Sequence, residues 1–309
     1  MNAPSLADPT ELPPHLARLE AEAIHIFREA MAEAERPVIL FSGGKDSTVL
    51  AHLAAAAFHP SRPPAPLLHI DSTFEFAETL AFRDAFSAAY GFELIVRRNE
   101  DGLRAGISPF VHGSALYTEV MRTEPLKAAL DEMQADVIFG GARRDEEKSR
   151  AKERVVSIRS PGHGWEPRSQ RPELWNLFNT RLGKGQTARV FPLSNWTESD
   201  IWAYAMARRL ALAPLYFAAP RPTVEADGML IVVGDGRYPF APGEELVTRV
   251  VRFRTVGCWP VTGAIESEAA TLPDILRETL ADRRSERQGR MIDRDEGGSL
   301  EAKKRRGYF

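Results

Sequence analysis

The chain has 309 residues, 43% of them hydrophobic, with 40 basic and 43 acidic side chains and a net charge of −3. That size and apolar content can bury a sizeable core, in one large domain or two ordinary ones, and the near-balanced charge excludes the global positive field of a nucleic-acid binder. A single cysteine excludes an intramolecular disulfide framework and a multi-cysteine metal site, which points to a reducing, cytoplasmic setting.

The opening stretch, MNAPSLADPTELPPHLARLE, carries acids and prolines where a secretory leader needs a basic end and an apolar run. No later apolar stretch approaches spanning length, so no membrane contact is expected. Residues 15–35 set Leu16, Leu19, Ala23, Ile26, Phe27 and Ala30 at helical spacing, which predicts an amphipathic helix packed on the first sheet. Short apolar runs then alternate with helical patterns: VILF, LLHI from Leu67, ELIV from Glu93 and DVIFGG from Asp136, separated by segments such as FEFAETLAFRDAFSAAYGF. This alternation predicts an α/β fold, a Rossmann-like parallel sheet of roughly five strands flanked by helices on both faces. Ligands of such sheets sit at the carboxyl ends of the strands. The polar stretches SGGKDS, DST and GARRDEEKSR each follow a strand and should converge there.

From about Arg159 to Leu193 the chain is rich in Pro, Gly, Arg and Trp and poorly periodic, as in a long mobile or functional loop. TESDIWAYAMARRL then predicts a helix capped by Thr197, with Asp200 in its first turn. GMLIVVGDGRYPF reads as a hairpin or two short strands around a Gly-Asp-Gly turn. The charged end, residues 285–309, has too few apolar residues for a core of its own and either dangles or docks. No internal repeat is evident. The expected division is an N-terminal helix plus nucleotide-binding α/β domain over residues 1–220 and a smaller extension over 221–309 that completes the site and meets a partner.

Gly43 and Gly44, after a buried strand, let the backbone turn sharply and approach a ligand, while Ser42, Lys45 and Ser47 supply donors beside a helix N-terminus. That composition suits a phosphate cradle, and it also suits an ordinary strand-to-helix turn. It is not a Walker A loop, because Ile39 stands where the first glycine belongs and Asp46 follows the lysine; nor is there a G-x-G-x-x-G dinucleotide fingerprint here.

SGGKDS resembles the pyrophosphate loop of the adenine-nucleotide α-hydrolase superfamily, whose members split ATP between the α and β phosphates. Seven further stretches, in order, resemble the small subunit of the bacterial two-subunit ATP sulfurylases: PLLHIDSTFEF, GGARRDEEKSRAKERV, QRPELWNLFN, RVFPLSNWTESDIW, PLYFAAPRPTV, VRFRTVGCWPVTGAIESEA and SERQGRMIDRDEGGSLEAKKRRGYF. The likeness runs from about Pro13 to Phe309. It implies transfer of AMP from ATP to sulfate, giving adenylyl sulfate and pyrophosphate, with Mg2+ and a separate GTPase large subunit as partner.

Sulfate is already a dianion at neutral pH, so its attack on the α phosphorus needs neutralised charge and alignment but no general base. Cations are therefore expected, and Arg143, Arg144, Lys148 and Arg150 follow the DVIF strand. The alternative is a solvated helix, since Asp145 to Lys148 and Glu146 to Arg150 are good helical ion-pair spacings. The resemblance implies an anion-binding arginine motif here. It also implies that Ser42, Gly43, Gly44, Lys45 and Ser47 hold the pyrophosphate and that Asp71 lies by the nucleoside, although Asp71 suits a turn equally well. Asp46 either helps hold magnesium through water or caps its helix.

The seven histidines show no metal-ligand spacing and are expected to be structural or surface groups. Cys258 lies in Gly-Cys-Trp-Pro, not in the Glu-Cys-Gly-Leu-His type motif of a sulfonucleotide reductase, and reads as a packing residue. The KKRR cluster at 303–306 is too short for a nucleic-acid footprint and suits a surface or partner contact. A phosphate-sulfate anhydride is strongly uphill to form, and the chain has no guanine-recognition Asn-Lys-x-Asp motif, so any GTP hydrolysis belongs to another polypeptide. The loop at 159–190 and the charged tail are the expected docking surfaces. Two rivals stand beside this reading: an adenylyl-sulfate or phosphoadenylyl-sulfate reductase, and a non-enzymatic nucleotide-binding regulator of a GTPase.

Overall fold

A computed structural model describes residues 11–146, 148–226 and 228–282. The charged tail and the Lys148 side chain, both given roles above, lie outside the described residues.

Helix α1 (Pro14–Glu33) starts on Pro14, whose missing N–H costs nothing in a first turn, and buries the six apolar residues that its periodicity sets on one face. Phe27 stacks on Phe139 at 4.7 Å between centroids, so the helix lies on the sheet as expected. Asp136 accepts from the amides of Glu35 and Arg36 at 2.7 and 2.9 Å, which pins the turn into β1 (Pro37–Leu40) against the strand that follows Asp136.

The chain alternates through α2 (Lys45–Phe58), β2 (Leu67–Ile70), α3 (Ala77–Tyr90) and β3 (Leu94–Arg97). Helices α4 (Glu100–Arg104), α5 (Pro109–Thr118) and α6 (Glu124–Glu132) lead back to β4 (Val137–Phe139). A π-helical turn, Glu119–Thr123, joins α5 to α6. After the short α7 (Lys148–Ala151) come β5 (Val156–Arg159) and β6 (Thr187–Val190).

These strands form one sheet in the order β3-β2-β1-β4-β6-β5. All neighbours pair in parallel except β5, which runs antiparallel along β6 at the edge. The chain leaves β1 for β2 and β3, then returns to the other side of β1 at β4. That reversal opens a crevice at the carboxyl ends of β1 and β4.

Strands β5 and β6 fall at the ends of the stretch read as a structureless connection. On their paired ribbon, Val156, Ile158, Ala188 and Val190 join the core, while Ser157, Arg159, Thr187 and Arg189 share the opposite face. Arg159 and Arg189 are nonetheless buried, and charges at buried strand positions hide the pattern from a periodicity test. The outer edge of β5 is blunted by side chains: Glu173 accepts from the Val156 amide at 2.7 Å, and Gln170 accepts from the Ile158 amide at 2.8 Å.

Helix α8 (Glu198–Ala207) opens with a reciprocal capping box between Thr197 and Asp200, as the sequence predicts. A second, antiparallel sheet follows in the order β10-β9-β7-β8, made of β7 (Ala219–Ala226), β8 (Met229–Val232), β9 (Val247–Arg252) and β10 (Ile265–Glu266). Here the expected hairpin is displaced: β8 pairs back onto β7, and Gly234 packs against the Trp259 ring instead of turning a hairpin. Helix α9 (Leu272–Ala281) closes the described chain. A hydrophobic core runs from Leu12 to Ile275 through both sheets, and a smaller one under α6 gathers Val38, Leu68, Leu126, Leu130 and Ile138 on the other face of the main sheet.

Candidate active site

Strand β1 ends at Leu40, and the next seven residues build one wall of the crevice. Gly43 takes φ +73°, a left-handed conformation that a side chain disfavours, and a Cβ there would stand 3.0 Å from Thr79 Cγ2. The turn delivers the chain into the first residue of α2, whose leading amides have no intrahelical carbonyl to bind and carry the positive end of the helix dipole. Ser42 and Ser47 stand with their hydroxyls 3.2 Å apart and both line the cavity. The Lys45 amide donates to Tyr216 Oη at 2.7 Å, which anchors the loop from behind.

Facing this wall, Gly141 follows β4 so closely that a Cβ would sit 3.2 Å from the Asp46 carbonyl carbon and 3.3 Å from the Ser47 nitrogen. A glycine here lets the β4 loop press on the start of α2 without crowding its backbone. The sequence contained this residue in DVIFGG, but its proximity to Asp46 is not local information.

Asp46 is the electrostatic centre. Its two oxygens accept from Arg143 Nε at 2.7 Å and from Lys45 Nζ at 3.0 Å. Burial alone would raise its carboxyl; the two cations outweigh that and hold it far below the usual carboxylate range. The Arg143 side chain is wholly buried and Lys45 nearly so, with the Lys45 ammonium also 5.9 Å from the centre of the Trp202 ring. Lys45 and Arg143 therefore converge on Asp46, which lines the cavity, and are not themselves among the cavity-lining residues.

Arg150 does line the cavity, held by Glu146 at 3.2 Å. Arg144 sits outside the lining, donating to Asn195 Oδ1 at 2.6 Å and lying 3.8 Å from Glu173. Asp71 also lies outside it, its Oδ1 closing a turn on the Thr73 amide at 2.8 Å.

The cavity lining also includes apolar Leu40, Leu68, Ile70 and Leu126 and polar His69, Glu75, Thr79, Arg122 and Thr123. His69, expected to be merely structural, is 2% exposed and belongs to this lining. Burial lowers its ring pKa to about 4, outweighing the bond from Nδ1 to the Phe41 carbonyl at 2.9 Å, so the ring is neutral at physiological pH. Arg122 and Thr123 reach the cavity from the π-helical turn, a local distortion frequent at functional sites that 3.6-residue periodicity cannot reveal.

Val256, Gly257 and Cys258 close the rim from the loop after β9. The Cys258 sulfur lies 2.9 Å from Ser72 Oγ and 3.5 Å from Tyr117 Oη. Burial pushes its thiol pKa up, opposite to what a nucleophilic thiolate needs. Among the described residues no group of three or more His, Cys, Asp or Glu could hold a metal ion.

Residues 36–264 match the phosphoadenosine phosphosulfate reductase domain family. Sulfate adenylyltransferase subunit 2 of Trichlorobacter lovleyi is 58% identical over 295 residues, covering 96% of this chain and 98% of that protein. The chain belongs to the sulfate adenylyltransferase subunit 2 family. The same protein of Methylococcus capsulatus is 59% identical over 96% of this chain and 98% of its own length. Among solved structures, a phosphoadenylyl-sulfate reductase from Candida auris is 17% identical, covers 66% of this chain and 91% of that chain, and superposes with a TM-score of 0.47. Subunit 2 membership makes this a nucleotidyltransferase chain, as the seven sequence stretches implied, on an α/β sheet of the expected kind. The cavity is lined by Ser42, Asp46 and Ser47 from the glycine stretch, by Arg150 and by the end of β2; Gly43, Gly44, Asp71 and Arg144 are not among its lining residues.

Proposed function

We propose that this chain is the catalytic small subunit of a sulfate adenylyltransferase. A sulfate oxygen attacks the α phosphorus of ATP, the α–β phosphoanhydride bond breaks, and pyrophosphate leaves, with no proton to move. The observation that carries this reading is that Ser42 and Ser47, at the α2 N-terminus, and Arg150 line one and the same cavity. The relatives' shared name points the same way.

In this reading Ser42, Gly43, Gly44 and Ser47 hold the departing pyrophosphate. Lys45 and Arg143 fix the loop through Asp46 and supply positive field behind it. Arg150, with Arg122 beside the cavity, gathers sulfate and the α phosphate. Arg144 holds the β4 loop through Asn195, and Asp71 shapes the turn beside the nucleoside. Both Asp46 oxygens are engaged by cations, so Mg2+ fits as an ion carried by the nucleotide phosphates and water, not as one caged by the protein.

Subunit 2 names a chain with a partner, and the uphill anhydride supports a GTP-hydrolysing large subunit in that place. Its docking surface is proposed at Leu174, Trp175 and Leu177, which are 58%, 86% and 65% exposed. Trp175 and Asn176 both take positive φ, making a protruding knuckle. Residues from 221 onward are proposed as the extension that completes the site, because Val256 to Cys258 form its rim. No helix among the described residues is long and apolar enough to cross a membrane, and a cytoplasmic setting suits the lone buried thiol.

Incubating the chain with ATP and sulfate, with and without the large subunit and GTP, tests the reading by its products. Adenylyl sulfate and pyrophosphate should appear together and only with sulfate, and Arg150→Ala should raise the KM for sulfate far more than that for ATP. ADP as product, or thioredoxin-dependent sulfite release as from a reductase, would replace it.

A further inference from the structure

The peptide joining Gly44 to Lys45 is gripped at both ends. The Gly44 carbonyl accepts from the Thr48 amide at 2.9 Å and from the Ser47 and Thr48 hydroxyls at 3.0 and 2.9 Å. The N–H, on the first residue of α2, has no acceptor within the helix, and Tyr216 Oη supplies one at 2.7 Å from 171 positions away. The same oxygen accounts for Gly44. Its φ of −76° and ψ of 164° are extended backbone open to any residue, so conformation does not demand a glycine. Space does: a Cβ there would stand 3.3 Å from Ser42 Oγ and 3.4 Å from Tyr216 Oη.

Tyr216 is buried at the end of the 3-10 turn Pro214–Tyr216. Its ring meets that of Trp202 edge-on at 5.2 Å between centroids, and Trp202 is the ring that faces the Lys45 ammonium. The Phe253 amide, one residue past β9, donates to the Leu215 carbonyl at 2.9 Å. Arg254, the next residue, bonds Glu198 at 2.7 Å, and Glu198 accepts from Trp202 Nε1 at 3.3 Å. Both aromatic residues that hold Lys45 therefore lean on the segment leaving the second sheet. Neither lines the cavity.

Building on the proposed grip of residues 42–47 on pyrophosphate, we propose that Tyr216 is the positioning residue of that grip. Its hydroxyl fixes the plane of the 44–45 peptide, and so the direction of the amides that follow at the head of α2, acting through Gly44 and Lys45 and not through the nucleotide. The Lys45 amide is spent on Tyr216, which leaves phosphate binding to its neighbours. The β and γ phosphates depend on that alignment; AMP, which has neither, does not.

Titration calorimetry of the full chain with ATP, inorganic pyrophosphate and AMP tests this. Tyr216→Phe keeps the ring and its packing and removes only the acceptor. It should weaken ATP and pyrophosphate binding roughly tenfold, the worth of one well-placed hydrogen bond, and leave AMP alone, so that the ATP-to-AMP affinity ratio falls by the same factor. Tyr204→Phe is the control: it deletes an equally buried phenol, one that donates to Glu20 at 2.6 Å, and should lower the melting temperature without moving the ratio. Gly44→Ala reaches the same contact from the loop side and keeps the test open should Tyr216→Phe fail to fold. It should lower the ratio in the wild type, and by less in Tyr216→Phe, where its methyl no longer meets that hydroxyl. An unmoved ratio in either variant, an equal fall in Tyr204→Phe, or additive effects of Gly44→Ala and Tyr216→Phe would overturn the proposal, while the wild type's preference for ATP over AMP would leave the pyrophosphate grip standing. A wild type that binds ATP no more tightly than AMP, and pyrophosphate not at all, would overturn both.

Discussion

Asp46 joins two buried cations through its two carboxylate oxygens. Replacing it with asparagine keeps the shape and removes the charge that bonds both Lys45 and Arg143 at short range in a region with little water. Asp46→Asn should therefore lose about 3 kcal/mol of folding stability, the usual penalty for breaking a buried pair by one partner. Denaturant titration measures this; a loss within error of zero would show that the carboxylate is not what holds the pair. At this scale the sequence was informative where the chemistry is local. Ser42 to Ser47 are contiguous, so the sharp turn they make from β1 into α2 could be read from six letters. His69, Glu75 and Arg122 come from three segments, and only the turn after β2 and the π-helical distortion bring them to one wall. Arg143 was legible as a cation but not as a partner of Asp46, because an ion pair across 97 positions leaves no trace in either motif.

Between elements, the decisive contact is the β4 loop against the start of α2. In Gly141→Ala the new methyl would press on backbone atoms of Asp46 and Ser47, which cannot swing aside as a side chain can. That crowding should cost about 1–3 kcal/mol and weaken ATP binding by roughly tenfold, since it displaces the amides at the phosphate wall. Calorimetry with ATP checks it, and unaltered affinity would place the phosphates elsewhere. The long connection between β5 and β6 supplies the other test. Glu173 ties the Trp175 knuckle to Val156 and approaches Arg144, so the knuckle is anchored although its tip is bare. Trp175→Ala should weaken binding to the large subunit by about 2 kcal/mol while leaving ATP affinity alone. Equal binding of variant and wild type to an immobilised large subunit would remove the knuckle from the interface. Strands β1 to β4 were legible because each is an uninterrupted apolar run between turn residues. β5 and β6 were not, because Arg159 and Arg189 occupy buried positions of the pattern.

Across the whole molecule, two neutral imidazoles are locked in the core. Burial lowers the pKa of His52 to about 3 and that of His69 to about 4, from 6.5 in the unfolded chain. Between those values the unfolded state binds protons that the folded state refuses, so acid favours unfolding and stability rises with pH. The contribution is complete above the unfolded pKa and is lost as pH falls towards the folded values. Urea midpoints from about pH 7 down to about pH 5 should fall with a slope approaching two protons, and His69→Phe should remove about one of them. A flat profile would show that these rings protonate freely in the folded protein. The α/β class and the order of its first four strands along the chain followed from alternating apolar runs. The second sheet did not, since its edges depend on pairings between distant segments.

The most direct test of the central claim is a crystal structure of the chain with α,β-methylene-ATP, whose bridge cannot be cleaved. The β and γ phosphates should rest on the amides and hydroxyls of residues 42–47, with the α phosphate turned towards Arg150. Phosphates bound anywhere but over that loop would contradict it.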